Sequence, residues 1–134
     1  MKNCPKKVLV VEDEVLLREI LREDLESNDW KVLEAGDGEA ALQTLKTQKV
    51  DVILSDVKMP KKSGIEMLRD LSRTGRPFPP VVLATAFADL NEEEAGRLGA
   101  HAVLTKPYAL TEVLEVLEAA SGTAALKRRK AGKT

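Results

Sequence analysis

Three short apolar runs in this chain stop on residues that can do chemistry. Val8-Leu9-Val10-Val11 leads to Glu12 and Asp13, Val52-Ile53-Leu54-Ser55 to Asp56, and Ala102-Val103-Leu104-Thr105 to Lys106. Buried strands ending side by side would bring three carboxylates and one amine to one sheet edge. Carboxylates gathered this way raise one another's pKa unless a cation neutralises them. A hard divalent ion such as Mg²⁺ accepts one or two carboxylates, keeps several waters and binds phosphate oxygens. A carboxylate can also act as a nucleophile and form an aspartyl phosphate. Phosphoryl transfer asks chiefly for positioning and for positive charge on the phosphoryl oxygens. Mg²⁺ would serve one oxygen, Lys106 a second, and the hydroxyl of Thr85, at the end of the run Pro80–Thr85, a third. Taken singly, a strand-end Asp is often a cap and a lone Lys is usually solvated. It is the joint arrangement at four strand ends that points to phosphoryl chemistry.

The elements that must position these groups follow from the apolar pattern. Expected strands are Lys7–Val11, Lys31–Glu34, Val50–Ser55, Pro80–Thr85 and Ala102–Thr105. Several are continuous Val/Ile/Leu/Ala runs without polar alternation, the pattern of strands covered on both faces. Helical stripes fall between them: Leu16, Leu17, Ile20, Leu21 and Leu25; Ala41, Leu42 and Leu45; Ile65, Leu68 and Leu71; Leu110, Val113, Leu114 and Leu117. Asp37 and Thr111 are expected N-caps, and Gly99 an expected helix stop. Five strand–helix repeats predict an α/β fold: a single doubly wound domain, its parallel sheet joined by right-handed crossovers with helices on both faces. Such sheets bind ligands at the carboxyl edge of their strands, where the acids, Thr85 and Lys106 would meet. The helix around 90–98 differs from the rest. Asn91-Glu92-Glu93-Glu94 opens it, and only Leu90, Ala95 and Leu98 supply an apolar face. That thin face fits either a loosely docked element available for movement or an ordinary small surface helix.

With 134 residues, 43% of them hydrophobic and 32% charged, the chain suits one globular domain. We place it at residues 1–121. Residues 122–134, with Lys127-Arg128-Arg129-Lys130 and Lys133, read as a basic, disordered tail or linker. A net charge of −1 gives no pull toward nucleic acid or acidic membranes, and so short a basic run does not suggest direct nucleic-acid binding. No apolar run approaches the length of a membrane span. The N-terminus lacks a signal-peptide pattern, and a single cysteine, Cys4, cannot form an internal disulfide. A cytoplasmic location is expected. His101 is the only histidine, so a histidine metal site or a Ser-His-Asp triad has no material; it is expected at the surface or a strand edge. Gly36, Gly38 and Gly64 are expected turn and cap glycines without the spacing of a nucleotide-binding loop. Trp30 is expected to pack.

In order and spacing, several segments together resemble the response-regulator receiver domain of two-component signalling over residues 6–120. They are Val-Leu-Val-Val-Glu12-Asp13-Glu14, Asp51-Val-Ile-Leu-Ser-Asp56-Val-Lys-Met59-Pro60, Gly64, Ala84-Thr85-Ala86 and Lys106-Pro107-Tyr108. The resemblance implies a (βα)5 flavodoxin-like sheet of order 2-1-3-4-5. It implies that Asp56 accepts a phosphoryl group from a sensor histidine kinase or a phosphotransfer protein. Glu12, Asp13, Asp56 and the backbone carbonyl of Lys58 would hold Mg²⁺, for which Mn²⁺ can substitute, while Thr85 and Lys106 contact the phosphoryl group. The signal would leave by a conformational change of the 85–120 face, toward an output that the sequence does not name; the 90–120 part of that face could also pair two copies of the chain. A cis peptide at Lys106–Pro107 is implied too, against a background of about 5–6% cis among X–Pro bonds.

One position departs from the family pattern. Three residues before the lysine, where receivers often carry an aromatic that turns with the threonine, stands Val103, which is short and stiff. The aromatic half of the usual switch is expected to be missing, with Tyr108 packing rather than replacing it. Lys58 and Phe87, two residues beyond Asp56 and Thr85, border the site by analogy. They either shield an acyl phosphate from water, giving slow self-dephosphorylation, or point to solvent. Lys61 and Lys62, with Lys58, read as a solvated loop more than as donor steering. Two other functions compete. A Mg²⁺-dependent phosphohydrolase with Asp56 as nucleophile is disfavoured by Lys58, where one major class carries a second acid. A partner-binding module without phosphorylation is disfavoured by the intact set Glu12, Asp13, Asp56, Thr85 and Lys106. The expected protein is a phosphoacceptor switch rather than an enzyme.

Overall fold

The computed structural model of the chain describes residues 6–86 and 92–122. Its elements alternate strictly: β1 Lys7–Val11, α1 Val15–Glu26, β2 Lys31–Ala35, α2 Gly38–Thr47, β3 Val52–Asp56, α3 Gly64–Arg73, β4 Val81–Thr85, α4 Glu92–Leu98, β5 Ala102–Thr105 and α5 Leu110–Gly122. The strands form one parallel sheet in the order β2-β1-β3-β4-β5, as the resemblance implies. Strand pleating sorts the unbroken apolar runs onto two faces. Val8, Val10, Val52, Leu54, Val82 and Ala84 meet Leu21 and Leu25 of α1 and Val113, Leu117 and Ala120 of α5. Leu9, Val11, Ile53, Val81 and Leu83 meet Ala41 of α2, Met67, Leu68 and Leu71 of α3, and Ala95 of α4. Trp30 closes the first cluster and is buried, as a packing residue should be.

Four boundaries move by a residue or two. Val50 and Asp51 stay outside β3, where the Asp51 carboxylate accepts from the Lys7 amide at 2.7 Å. Pro80 lacks an N–H to extend β4, although its carbonyl accepts from Ile53 at 2.9 Å. β2 runs on through Ala35, and Asp56 belongs to β3 itself.

The five-residue stripe of α1 proves wider than the face that docks. Leu21 and Leu25 are buried one turn apart and Leu17 is half-buried on the same row. Leu16 and Ile20 occupy the neighbouring row and are 74% and 56% exposed, joined by Val15 at 54%. Asp37 does cap α2, its carboxylate accepting from the Ala40 amide at 2.8 Å. Thr111 does not cap α5. The Val113 amide donates to the Ala109 carbonyl and the Glu112 carboxylate accepts from the Ala109 amide at 2.9 Å, so the cap position is Ala109 and Glu112 folds back on it. Gly99, with φ 105°, ends α4 as expected; the Ala100 amide reaches the Ala95 carbonyl and the Gly99 amide the Gly96 carbonyl. Ala95 is the buried residue of α4 and Leu98 is half-buried, the thin face anticipated above. Cys4, Phe87, Leu90, Asn91 and the tail 123–134 lie outside the described residues.

Gly38 and Gly64 are not turn glycines with unusual backbone. Each opens a helix against a neighbouring backbone carbonyl. A Cβ on Gly64 would sit 2.2 Å from the Asp56 carbonyl oxygen, and one on Gly38 would sit 2.6 Å from that of Lys62.

Candidate functional site

Sheet register sets the site. Val11 pairs with Ser55, so Glu12 follows level with Asp56. Asp56 pairs with Ala84, and Thr85 with Thr105, which leaves Lys106 one residue beyond β5. β1 ends at Val11, so the adjacent acids Glu12 and Asp13 escape the alternation that would have sent them to opposite faces. One carboxylate oxygen from each of Glu12, Asp13 and Asp56 lies within 4.8 Å of the others. Thr85 is buried at the end of β4, and its carbonyl accepts from the Lys106 amide at 2.7 Å. The Lys106–Pro107 peptide is cis, as the resemblance implies. The five residues named from the sequence therefore converge at the carboxyl edge.

Lys106 is the positive centre. Its Nζ stands 2.7 Å from Asp56 Oδ1 and 3.7 Å from Glu12 Oε1. Burial pulls its pKa down, but the hydrogen bond and charge of Asp56, helped by Glu12, outweigh this and carry it above the ordinary lysine value. Glu12 is buried, and Oε2 accepts from the Glu14 amide at 3.2 Å. Burial, with the charge and hydrogen bonding of Asp56, pushes its carboxyl up to about 7 against the opposing pull of the Glu14 amide and Lys106. Three carboxylates facing one ammonium leave the site short of positive charge. Hard oxygen donors that gather more negative than positive charge are compatible with Mg²⁺. The donor set fits that ion; no histidine or cysteine belongs to the cluster.

The surrounding residues sort themselves by contact. Tyr108 packs against the α1/α5 side of the core and burial raises its phenol, in keeping with a packing role. Val103 is half-buried toward the α2–α4 side. His101 lies at a strand edge, its amide donating to the Val81 carbonyl at 2.7 Å. Lys58 is exposed in the turn after β3 and Lys61 is exposed beside it. Lys62, expected to be solvated, instead pairs with Asp70 and stands 3.6 Å from Glu39, because the Gly38 amide draws its loop against α2 by donating to the Lys62 carbonyl at 2.9 Å. Sequence reasoning missed a further contact altogether. Arg18 of α1 donates from Nη1 to the Glu12 backbone carbonyl at 2.7 Å and from Nε to Glu34 of β2 at 2.9 Å.

A family model described as the response regulator receiver domain matches residues 8–129. The transcriptional regulatory protein PdtaR of Mycobacterium tuberculosis is 35% identical over 118 residues, 87% of this chain and 57% of that protein. This chain thus spans little more than half of that relative's length. Among solved structures, the receiver domain of the Francisella response regulator 1452 superposes with a TM-score of 0.82 at 28% identity, covering 89% of this chain and 98% of that one. The Thermotoga maritima response regulator TrrA, solved in complex with Mg²⁺ and BeF, superposes with a TM-score of 0.75 at 27% identity, covering 84% and 96%.

Proposed function

The chain belongs to the response regulator receiver domain family, and from that premise we propose that Asp56 is its phosphoacceptor, in a Mg²⁺-dependent transfer from a sensor histidine kinase or phosphotransfer protein. The observation that carries the reading is the Asp56 carboxylate, which holds the Lys106 ammonium at 2.7 Å inside a cluster of carboxylates at the sheet edge. An Asp56 oxygen forms the new P–O bond as the donor's P–N bond breaks, and the departing imidazole nitrogen takes a proton from solvent. Lys106 exchanges the carboxylate for a phosphoryl oxygen, and the Thr85 hydroxyl meets a second. Glu12, Asp13, Asp56 and the Lys58 carbonyl would hold Mg²⁺, which when bound supplies positive charge to the phosphoryl oxygens. Mn²⁺ is expected to replace it.

A phosphodonor protein must reach Asp56 from the same edge. The exposed Ile20 of α1 lines a groove of about 550 Å³ together with Leu17, Lys106 and Pro107; Leu16, exposed one turn earlier on the row of Ile20, extends this face, and we read it as the donor's footing. The receiver unit is taken as residues 1–121, with 122–134 as a linker or tail, and the compartment as the cytoplasm. Among the described residues no helix is long and apolar enough to cross a membrane.

Incubation with Mg²⁺ and acetyl phosphate tests the assignment. Stoichiometric, base-labile labelling that Asp56→Asn abolishes is the expected outcome. Labelling retained in Asp56→Asn moves the acceptor elsewhere, and repeated turnover on phosphoesters would make the protein a phosphohydrolase.

A further inference from the structure

Glu12 and Asp13 hang from a single peptide unit, and the atoms that hold this unit come from outside the acidic cluster. The peptide before it, Val11–Glu12, is tied down first: the Glu12 amide donates to the Ala35 carbonyl of β2 at 3.0 Å. In the Glu12–Asp13 peptide itself, Arg18 Nη1 donates to the Glu12 carbonyl oxygen at 2.7 Å. The guanidinium is itself fixed: Nε donates to Glu34 Oε1 at 2.9 Å, while Arg22 Nη1 donates to the other Glu34 oxygen at 2.8 Å. Arg18 and Glu34 are 19% and 25% exposed, so the pair is largely sheltered from solvent. Burial alone would raise the Glu34 carboxyl, but its two arginine partners bring it below the ordinary value, so it stays ionised. A planar guanidinium can serve a carboxylate and a carbonyl at the same time with little freedom left to either.

We propose that Arg18, braced by Glu34, is a positioning residue for the metal ligands: it sets the tilt of the Glu12–Asp13 peptide and thereby the direction of both carboxylates. The proposal rests on the Mg²⁺ reading given above, since Arg18 touches neither the acceptor carboxylate nor a phosphoryl group. Groups that orient metal ligands from behind typically alter affinity by about 10–100-fold when removed. Losing one hydrogen bond to a carbonyl belongs at the low end of that range, about tenfold.

The test is calorimetric titration with Mg²⁺ alone on the whole chain, beside thermal unfolding of each variant without the ion. Arg18→Met should weaken Mg²⁺ binding about tenfold, and Arg18→Lys should recover part of the loss, because an ammonium reaches only one of the two partners. Glu34→Gln should weaken binding less. In the Arg18→Met background it should add nothing, because it acts through the guanidinium. Labelling by acetyl phosphate supplies a readout that simple destabilisation would not mimic: the Arg18→Met rate should return to the wild-type rate once Mg²⁺ is saturating. Breaking the remote Lys6–Glu118 pair with Lys6→Met should leave the isotherm unchanged. If folded Arg18→Met binds Mg²⁺ as tightly as wild type, Arg18 has no positioning role although the metal reading stands. If the wild-type protein itself binds no Mg²⁺, the metal reading and this proposal both fall. Should Arg18→Met not fold, Glu34→Gln decides, and an isotherm matching wild type overturns the proposal.

Discussion

Glu12→Gln in the metal-free protein should raise stability near neutral pH and leave it unchanged in mild acid. The Glu12 carboxyl moves from 4.5 in the unfolded chain to about 7 in the fold, chiefly by burial. Because the folded state holds the proton more tightly, this residue's contribution is fully present below the unfolded pKa and is lost as pH rises through the folded one. Each pKa unit corresponds to about 1.4 kcal/mol, so ionising Glu12 costs up to about 3 kcal/mol by about pH 8. Glutamine keeps an acceptor for the Glu14 amide and offers its own N–H toward Asp56, without a charge to desolvate. Urea unfolding followed by far-ultraviolet circular dichroism, with a chelator present, measures both proteins across the range from about pH 4.5 to pH 8. The wild type–variant difference should be near zero at the acid end and open to about 1–3 kcal/mol in favour of the variant at the alkaline end. Saturating Mg²⁺ should then favour the wild type, whose third carboxylate gains a counter-charge. A difference that stays flat with pH would refute the reasoning, because a lost contact without a titrating carboxyl has no reason to follow pH.

Gly64→Ala should destabilise the fold by about 2–3 kcal/mol in the same unfolding assay, because its Cβ would lie 2.2 Å from the Asp56 carbonyl oxygen. An unchanged midpoint would mean that α3 can retreat from β3 freely. Asp29 ends α1 with φ 72°, its amide and that of Trp30 satisfying the Glu26 and Leu25 carbonyls. Asp29→Gly should therefore stabilise by about 0.5–1 kcal/mol, the left-handed cost less the added freedom of the unfolded chain; a loss of stability would show that the aspartate side chain contributes there. Leu16→Glu changes a residue that is 74% exposed. Stability and labelling by acetyl phosphate should hold, while transfer from a sensor kinase that labels the wild type should slow, and unchanged transfer would remove α1 as the donor's footing.

The site was more legible than the helices that frame it. Charged or hydroxyl residues at the ends of Val/Ile/Leu runs admit few structural explanations, and parallel register then aligns Glu12 with Asp56 without further information. On α1, by contrast, Leu16 and Ile20 make as good an apolar row as Leu17, Leu21 and Leu25, and only the neighbouring elements decide which row docks. Ala109 carries no capping group, so the start of α5 is written in Glu112, three residues on. Gly64 has ordinary backbone angles, and the carbonyl that demands its missing Cβ comes from β3. Arg18 and Glu34 are 16 residues apart and meet only because β2 lies beside β1. These are contacts between segments, which local pattern does not encode.

Trp30 stands at the opposite end of the sheet from the chemistry. It immediately precedes β2, and the five residues of that strand, at about 3.3 Å each, place it roughly 16 Å from the edge where Glu12 lies. Because it is the chain's one tryptophan and is buried in the cluster that also holds Leu21, Leu25 and Val8, its emission reports the integrity of the α1/α5 half of the core. Binding at the acidic edge should leave that emission nearly constant, whereas loss of the core should shift it to the red. The protein thus carries an intrinsic optical reference: ion or phosphodonor titrations can be corrected for unfolded molecules in the same cuvette, without a label.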